Sequence, residues 1–270
     1  MIRLIASDLD GTLLNDNSEL SPRTIRAAER AMAAGAKFVV ASGRMYLSSR
    51  PFAEQLHANA PMIVFNGALA CDWRTGAPLF KADIPAETAR AVCAAAEARG
   101  VFIQYFPERG FFYEKRVAAV CDEYEARIRW RGEAVGVPLS TWISQSAMKL
   151  LCLGPHEALH ALAEHVRASF PTLRAMFSHP TYLEIVRAGV DKAEALRALA
   201  ERLGVKREEV AAFGDADNDL AMLLYAGHGY AMKNADEAVR DRATLHAPAN
   251  DEDGVARVLE ELLARGEIGG

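Results

Sequence analysis

The stretch IRLIASDLDGT, residues 2–12, decides how this chain folds. Its largely apolar start, Ile2 to Ala6, is typical of a buried parallel strand, and Asp8 and Asp10 follow where that strand should end. The alternating side chains of an extended strand place positions 8 and 10 on the same side. Two carboxylates this close repel each other, so the pair needs a cation, a shared proton or open water. The alternative is a solvated turn at Asp10 and Gly11, and this stretch alone leaves it open.

Strand and helix patterns alternate over residues 1–83 and again over residues 188–270. Ser21 is a helix N-cap, Pro22 suits the first helical position, and Gly35 ends that helix. We also predict strands over 38–41, 62–65, 209–213, 228–232 and 244–247, the last two at a sheet edge, and helices over 191–203, 218–225 and 255–264. Buried strands separated by helices favour right-handed crossovers and a parallel sheet.

The middle of the chain follows a different pattern. We predict helices over 88–99, 117–129 and 156–169, and strands over 101–106, 110–115, 148–153, 173–177 and 182–186. Hairpin-like strand pairs mixed with helices indicate an antiparallel α+β insert. The predicted fold class is therefore α/β, with a Rossmann-like parallel sheet core of residues 1–83 and 188–270 and an α+β cap domain of residues 84–187.

Composition excludes several classes of protein. The net charge of −5 provides no basic footprint for nucleic acid. The largely apolar run Ile2 to Ala6 is too short for a signal peptide or a membrane span. The four cysteines are widely spaced and form no C-x-x-C pair, which favours reduced thiols. We therefore expect a cytoplasmic protein without nucleic-acid or membrane partners.

Polar residues follow three of the predicted core strands. Asp8 and Asp10 follow the first, Ser42 the second, and Asp215 a later one. If these strands are parallel neighbours, their carboxyl ends meet at one sheet edge, where open α/β sheets bind ligands. Several carboxylates in one crevice favour Mg²⁺. For the acidic run around Asp215, a helix N-terminus with acidic first-turn residues is the alternative.

Two further residues suit an anionic ligand. Ser42 could donate its hydroxyl to a phosphoryl oxygen, although a local serine turn explains it equally well. Lys192 opens a predicted helix, where the helix dipole disfavours a cation. An adjacent anion would explain its position, and a solvated surface lysine is the alternative.

A competing motif lies in the insert. His156-Glu157-Ala158-Leu159-His160 matches the H-E-x-x-H pattern of zinc peptidases. We interpret this match as a coincidence, because Glu157 and His160 fall on the polar side of the predicted helix. The longer metzincin pattern would also need glycine and histidine where this chain has Ala163 and Val166.

Together these residues resemble the four ordered motifs of the haloacid dehalogenase-like (HAD) superfamily. The motifs are Asp8-Leu9-Asp10-Gly11-Thr12, Ser42-Gly43-Arg44, Lys192 and Gly214-Asp215-Ala216-Asp217-Asn218-Asp219. Further segments resemble its Cof-type branch with a large type IIB cap, namely Asn66-Gly67-Ala68, Gly189-Val190-Asp191-Lys192, Met232-Lys233-Asn234-Ala235 and Asn250-Asp251-Glu252-Asp253-Gly254. Lys233 departs from the glycine that is common in that branch.

The resemblance implies a Mg²⁺-dependent phosphatase that hydrolyses phosphomonoesters of small metabolites through an aspartyl-phosphate. The substrate would be a sugar phosphate, or a cofactor phosphate such as pyridoxal phosphate or FMN. Asp8 would be the nucleophile, Asp10 the general acid and base, and Lys192 would neutralise the phosphoryl group. The implied substrate- or phosphate-binding residues are Ser42, Gly43, Arg44, Asn66 and Asn218. The implied Mg²⁺-binding residues are Asp8, Asp10 through its main-chain carbonyl, Asp215 and Asp219, with Asn218 and Asp219 acting directly or through water.

The cap is expected to close over the crevice and to select the leaving group. Tyr105, Tyr113 and Tyr182 are candidate contacts there, although ordinary strand packing is the favoured interpretation. A phosphomutase or phosphotransferase of the same superfamily remains the nearest alternative. A non-catalytic phospho-acceptor is also open, but the cap and Asp10 oppose it. We expect a monomer or a weak homodimer, and the motifs do not name the substrate.

Overall fold

The computed structural model describes residues 1–269, apart from the side chains of residues 178 and 179. Two compact units are present. Unit 1 comprises Met1–Gly43, Ser49–Phe80 and Asp191–Gly270, and unit 2 comprises Arg44–Ser48 and Lys81–Val190. Within the described residues, every helix is too short or too polar to cross a bilayer.

The strands and helices are numbered in chain order. The strands are β1 Leu4–Ser7, β2 Lys37–Val40, β3 Met62–Val64, β4 Leu69–Cys71, β5 Pro78–Lys81, β6 Phe102–Phe106, β7 Phe112–Tyr113, β8 Glu133–Ala134, β9 Lys149–Leu153, β10 Leu173–His179, β11 Tyr182–Arg187, β12 Val210–Gly214, β13 His228–Met232 and β14 Leu245–Ala247. The α-helices are α1 Pro22–Ala33, α2 Tyr46–Gln55, α3 Ala86–Glu97, α4 Ala118–Ile128, α5 Leu139–Trp142, α6 His156–Ser169, α7 Lys192–Leu203, α8 Asp217–Tyr225, α9 Glu237–Arg242 and α10 Gly254–Ala264.

Unit 1 is built on a five-stranded sheet of order β14-β13-β12-β1-β2, in which every neighbouring pair is parallel. The central strand β1 is fully buried along its length, which explains its largely apolar sequence. Ser7 lies opposite Phe213 on one side and Val40 on the other. The residues that follow these three strands therefore share one edge of the sheet, and the predicted parallel α/β core is confirmed.

Unit 2 contains a six-stranded sheet of order β10-β11-β9-β6-β7-β8. Its pairs are antiparallel except for β7 with β8. One core cluster of buried residues is drawn from this sheet and from α3, α5 and α6. The four cysteines, which all lie within the described residues, are buried. The predicted α+β insert is confirmed, and it also contains the short helix α5 and the two-residue strand β8, which the sequence pattern does not predict.

The predicted strand over 62–65 does not join the parallel sheet. Instead β3 pairs antiparallel with β4 in a separate sheet of order β3-β4-β5. Within the described residues, one isolated bridge, between Ala41 and Ile63, connects β3 to the residue that follows β2. Phe65 and Asn66 have φ values of 54° and 55°, so the chain turns back at once into β4. The predicted edge position of β13 is also wrong, because β14 covers its outer side.

Candidate active site

The turn that follows β1 carries Asp8 and Asp10 and lies against Asp215. Gly11 has a φ of 72°, and a Cβ there would lie 2.4 Å from Asp215 Oδ2. Any larger residue would therefore meet both backbone strain and a side-chain collision. The Thr12 hydroxyl donates to Asp215 Oδ1 at 2.7 Å. The glycine and the threonine thus fix the position of Asp215 beside the turn that carries Asp8 and Asp10.

Lys192 lies between two carboxylates at the start of α7. Its side chain is fully buried, and Nζ donates to Asp8 Oδ1 and to Asp219 Oδ1 at 2.6 Å each. Burial alone would lower the pKa of Lys192, but Asp219 and Asp8 raise it above its ordinary value. The lysine is therefore charged at neutral pH, and the adjacent anions explain a cation at a helix N-terminus.

Three carboxylates form a cluster at this edge of the sheet. Oxygens of Asp8, Asp215 and Asp219 lie within 4.8 Å of one another. Burial raises the pKa of Asp8 well above its ordinary value, and Lys192 only partly opposes this. Burial and the charge of Asp219 raise the pKa of Asp215 to about 7. Without a cation Asp215 is therefore only partly ionised near pH 7. An all-oxygen donor set of this kind suits a hard divalent ion.

Both oxygens of Asp219 are already engaged. Oδ1 accepts from Lys192, and Oδ2 accepts from the main-chain N–H groups of Asp215 and Ala216 at 3.2 Å each. Gly214 is also tightly placed, since a Cβ there would lie 2.4 Å from the Cβ of Asp219. Asp219 therefore orients both the lysine and the loop that carries Asp215.

A second group of polar residues joins the loops after β2 and β3 to α8. Asn218 Nδ2 donates to Asn66 Oδ1 at 2.9 Å, and the Asn66 N–H donates to the Ser42 carbonyl at 3.1 Å. A Cβ at Gly43 would lie 2.7 Å from Asn66 Oδ1, and one at Gly67 would lie 2.1 Å from the Asp191 carbonyl oxygen. Ser42, Gly43, Asn66 and Asn218 are thus brought together.

The remaining predicted site residues have distinct surroundings. Asp10 is half-buried, and its charge adds to the effect of burial in raising the pKa of Asp8. Asp10 also lines a cavity of about 430 Å³ with Asn234 and Asn250. Arg44 is buried and belongs to unit 2, so its role in phosphate binding stays a prediction.

Two residues that were not predicted as site residues, Thr12 and Asn234, hold the turn after β1 and Asp215 in place. Thr12 lies in the first of the four motifs, and the sequence does not predict its hydrogen bond to Asp215. Asn234 Nδ2 donates to the Gly11 carbonyl at 2.7 Å, and Asn234 Oδ1 accepts from the Asn250 N–H at 3.0 Å. Asn234 and Asn250 lie in segments that resemble the Cof-type branch, and this resemblance is the feature of the sequence that points to them.

The candidate tyrosines of unit 2 have packing roles. The Tyr105 hydroxyl donates to the Gln145 and Ser146 carbonyls at 3.1 Å each, and the Tyr113 hydroxyl donates to the Gly132 carbonyl at 2.9 Å. Tyr182 is buried, with its ring edge-on to the ring of Tyr124. These contacts agree with the strand-packing interpretation.

The H-E-x-x-H segment lies at the start of α6 in unit 2. His156, Glu157 and His160 are all exposed. A peptidase would need this helix to line a cleft around its metal, so the exposure agrees with the interpretation that the motif match is a coincidence.

Comparisons with known proteins cover nearly the whole chain. A family model described as haloacid dehalogenase-like hydrolase matches residues 5–259. The 5-amino-6-(5-phospho-D-ribitylamino)uracil phosphatase YitU of Bacillus subtilis (strain 168) is 30% identical over 268 residues, which cover 97% of this chain and 97% of that protein. The pyridoxal phosphate phosphatase YbhA of Escherichia coli (strain K12) is 29% identical over 272 residues, covering 95% and 97%. A crystal structure of a haloacid dehalogenase-like hydrolase from Bacteroides thetaiotaomicron has a TM-score of 0.89 at 30% identity, covering 97% of this chain and 100% of that one.

Proposed function

The chain belongs to the haloacid dehalogenase-like hydrolase family and is a phosphoric monoester hydrolase, and we propose that it works on small phosphorylated metabolites through a phosphorylated Asp8, with Mg²⁺ as its metal. One observation carries the proposal. A fully buried Lys192 holds Asp8 and Asp219 at 2.6 Å each, and Asp215 completes the carboxylate cluster. Phosphoryl transfer depends mainly on positioning and charge neutralisation, and this cluster supplies both.

Asp8 is the proposed nucleophile. Lys192 engages Oδ1 and favours the ionised carboxylate, which leaves Oδ2 to attack phosphorus. As the new bond from Asp8 to phosphorus forms, the bond from phosphorus to the ester oxygen breaks, and Asp10 gives that oxygen its proton. Asp10 then takes a proton from water, whose oxygen attacks phosphorus while the bond from phosphorus to the Asp8 oxygen breaks, and inorganic phosphate leaves. The Asp8 carboxylate is thereby restored.

The carboxylate cluster fits a magnesium ion. Asp8, Asp215 and the main-chain carbonyl of Asp10 are the proposed ligands, and all of these donors are oxygens, as Mg²⁺ prefers. When bound, the ion neutralises negative charge on the carboxylates and on the phosphoryl group. Asp219 has both oxygens engaged by hydrogen bonds, so we propose that it supports the ion through water and through Lys192.

The asparagine pair and the serine form the proposed phosphate-binding side. Ser42 is buried at the end of β2, and Asn218 Nδ2 lies 2.9 Å from Asn66 Oδ1. Gly43 leaves room for a close approach of Asn66. Hydroxyl and amide donors at this position can bind phosphoryl oxygens without adding charge. Arg44 is the proposed cationic contact to the same oxygens.

We propose that residues 84–187 select the leaving group as a cap and that residues 1–83 and 188–270 form the catalytic core. The bounds of units 1 and 2 lie within a few residues of this division, apart from Arg44–Ser48. YitU and YbhA act on different phosphate esters, although this chain is almost equally similar to both. The proposed substrate class is therefore a sugar phosphate or a cofactor-like heteroaromatic phosphate, with its identity set by the cap.

A phosphate-release screen tests the proposal. The wild-type protein, Asp8→Asn and the exposed-carboxylate control Asp217→Asn are assayed over a panel of sugar and cofactor phosphates, with Mg²⁺ and with EDTA. We expect Mg²⁺-dependent release by the wild type and the control, and none by Asp8→Asn. No release from any ester with Mg²⁺ would contradict the hydrolase assignment. Transfer to an acceptor without net phosphate release would instead support the phosphotransferase alternative.

A further inference from the structure

The two histidines of the H-E-x-x-H segment face each other on the surface of unit 2. His156 and His160 are one helical turn apart on α6, and both side chains are exposed. Their Nε2 atoms lie 2.8 Å apart, and their ring planes meet at 78° with centroids 4.2 Å apart. Side chains four residues apart share a helix face, so the pairing follows from the sequence spacing.

The hydrogen bonds fix which nitrogen of each ring carries the proton. His156 Nδ1 lies 2.9 Å from the Pro180 carbonyl oxygen, which can only accept, so Nδ1 carries the proton and donates. In neutral His156 the Nε2 lone pair is therefore exposed, and His160 donates its Nε2 proton to it. A bond from Nδ1–H to a backbone carbonyl also orients many metal-ligating histidines, since it fixes the tautomer that presents Nε2.

The separation of the two nitrogens suits a shared metal ion. Two nitrogens at about 2.0–2.1 Å from one ion lie about 2.9 Å apart at a right angle and about 3.3 Å apart in a tetrahedron. The observed 2.8 Å needs a change of only a few tenths of an ångström. Phe177 packs on both rings, with centroid distances of 5.3 Å to His156 and 4.6 Å to His160. The pair is therefore already arranged before any ion binds.

We propose that His156 and His160 chelate one first-row transition cation of borderline softness, of the Cu²⁺, Ni²⁺ or Zn²⁺ class. Binding moves the Nε2 proton of His160 to its own Nδ1, so that both Nε2 lone pairs bind the ion and the neutral pair keeps its total number of protons. Glu157 places negative charge in the same helical turn. Imidazole donors distinguish this site from the all-oxygen cluster of Asp8, Asp215 and Asp219, which favours Mg²⁺.

The site differs from the zinc peptidase centre that the motif resembles. Among the described residues, the group of three or more potential metal ligands is the Asp8 cluster, so the histidine pair supplies two protein ligands. Water would complete the coordination shell of a bound ion, which makes the ion exchangeable. The Irving–Williams order then predicts that Cu²⁺ binds most tightly of the three.

Isothermal titration of the 270-residue protein tests the proposal, with Cu²⁺ as the probe and saturating Mg²⁺ present to fill the carboxylate cluster. We expect one Cu²⁺ per chain, with electron paramagnetic resonance showing coupling to two imidazole nitrogens. His156→Gln and His160→Gln should each weaken binding by at least about tenfold. His165→Gln, on the same helix, is the matched control and should bind as the wild type does. Circular dichroism and Mg²⁺-dependent phosphate release should be unchanged in all three variants.

Two results would overturn the chelate. One is the absence of Cu²⁺ binding to the wild type, which would mean that His156 and His160 form a hydrogen bond and no metal site. The other is equal binding by the wild type and by the doubly substituted His156→Gln, His160→Gln protein. Neither result bears on phosphate release, so the proposed function is judged separately.

Discussion

Replacing Asp215 with asparagine should stabilise the metal-free protein at pH 8 and abolish its stabilisation by Mg²⁺. Burial, and next the charge of Asp219, raise the pKa of Asp215 from 3.8 to about 7. The ionised carboxylate is therefore disfavoured in the folded protein by at most about 4 kcal/mol. Asparagine is neutral at every pH, and its Oδ1 can still accept from the Thr12 hydroxyl. The substitution removes the repulsion and keeps the hydrogen bond.

The predicted effect depends on pH in a defined direction. Below about pH 3.8 the carboxyl is protonated in both the folded and the unfolded protein, so the two proteins should differ little. As pH rises toward 7, the unfolded wild type releases this proton while the folded protein retains it, and wild-type stability falls. The advantage of Asp215→Asn should therefore grow between pH 4 and pH 7 and be complete at pH 8.

Thermal unfolding in EDTA at pH 5, 6.5 and 8 measures this difference. Each kcal/mol corresponds to a shift in Tm of about 2–4 °C for a protein of this size. Mg²⁺ at about 100 times its dissociation constant should add about 2.7 kcal/mol to the wild type and little to Asp215→Asn. The exposed-carboxylate control Asp217→Asn should behave as the wild type does. A less stable Asp215→Asn protein in EDTA at pH 8 would contradict the raised pKa of Asp215, and an equal Mg²⁺ shift in both proteins would exclude Asp215 as a metal ligand.

Three further substitutions test the ion pairs of Lys192, the close approach of Gly11 to Asp215 and the packing role of Tyr105. Lys192→Met leaves buried carboxylates uncompensated, so the free energy of unfolding at pH 8 in EDTA should fall by about 3–5 kcal/mol and phosphate release should be lost. Unchanged stability would contradict the ion-pair geometry. Gly11→Ala places a Cβ 2.4 Å from Asp215 Oδ2 at a φ of 72°, so the Mg²⁺ concentration for half-maximal activity should rise; wild-type Mg²⁺ dependence would contradict the close approach. Tyr105→Phe removes a hydroxyl that donates to two main-chain carbonyls, so stability should fall by about 1 kcal/mol with KM unchanged; a raised KM would indicate a substrate contact.

The sequence predicts the parallel core well because its strands are buried on both faces. β1 and β12 appear as nearly continuous apolar runs, and an aspartate, Asp8 or Asp215, directly follows each strand. Their pairing joins residues about 200 positions apart, so no local pattern could reveal it. The indication that the two strands belong to one site comes from the resemblance to the haloacid dehalogenase-like superfamily, in which the same motifs occur in the same order. The placement of Asp8 and Asp215 at one sheet edge then follows from the parallel strand order.

Features set by single backbone conformations or by close packing could not be predicted. Phe65 and Asn66 adopt left-handed φ values without being glycine, and this turns the chain into β4 and out of the parallel sheet. The position of Lys192 suggested a nearby anion because of the helix dipole. Its complete burial between two carboxylates depends on how α7 packs against the loops, which a helix pattern does not encode.

Direct detection of the phosphorylated residue tests whether Asp8 is the nucleophile. The protein is mixed with Mg²⁺ and an ester that the screen identifies, quenched in acid within one turnover and digested. Borohydride reduction and mass spectrometry then distinguish an acyl phosphate on residue 8 from one on residue 10. We predict one phosphoryl group on Asp8, a longer-lived one in Asp10→Asn, and none in Asp8→Asn. A phosphoryl group on any other residue, or full turnover by Asp8→Asn, would exclude Asp8 as the nucleophile.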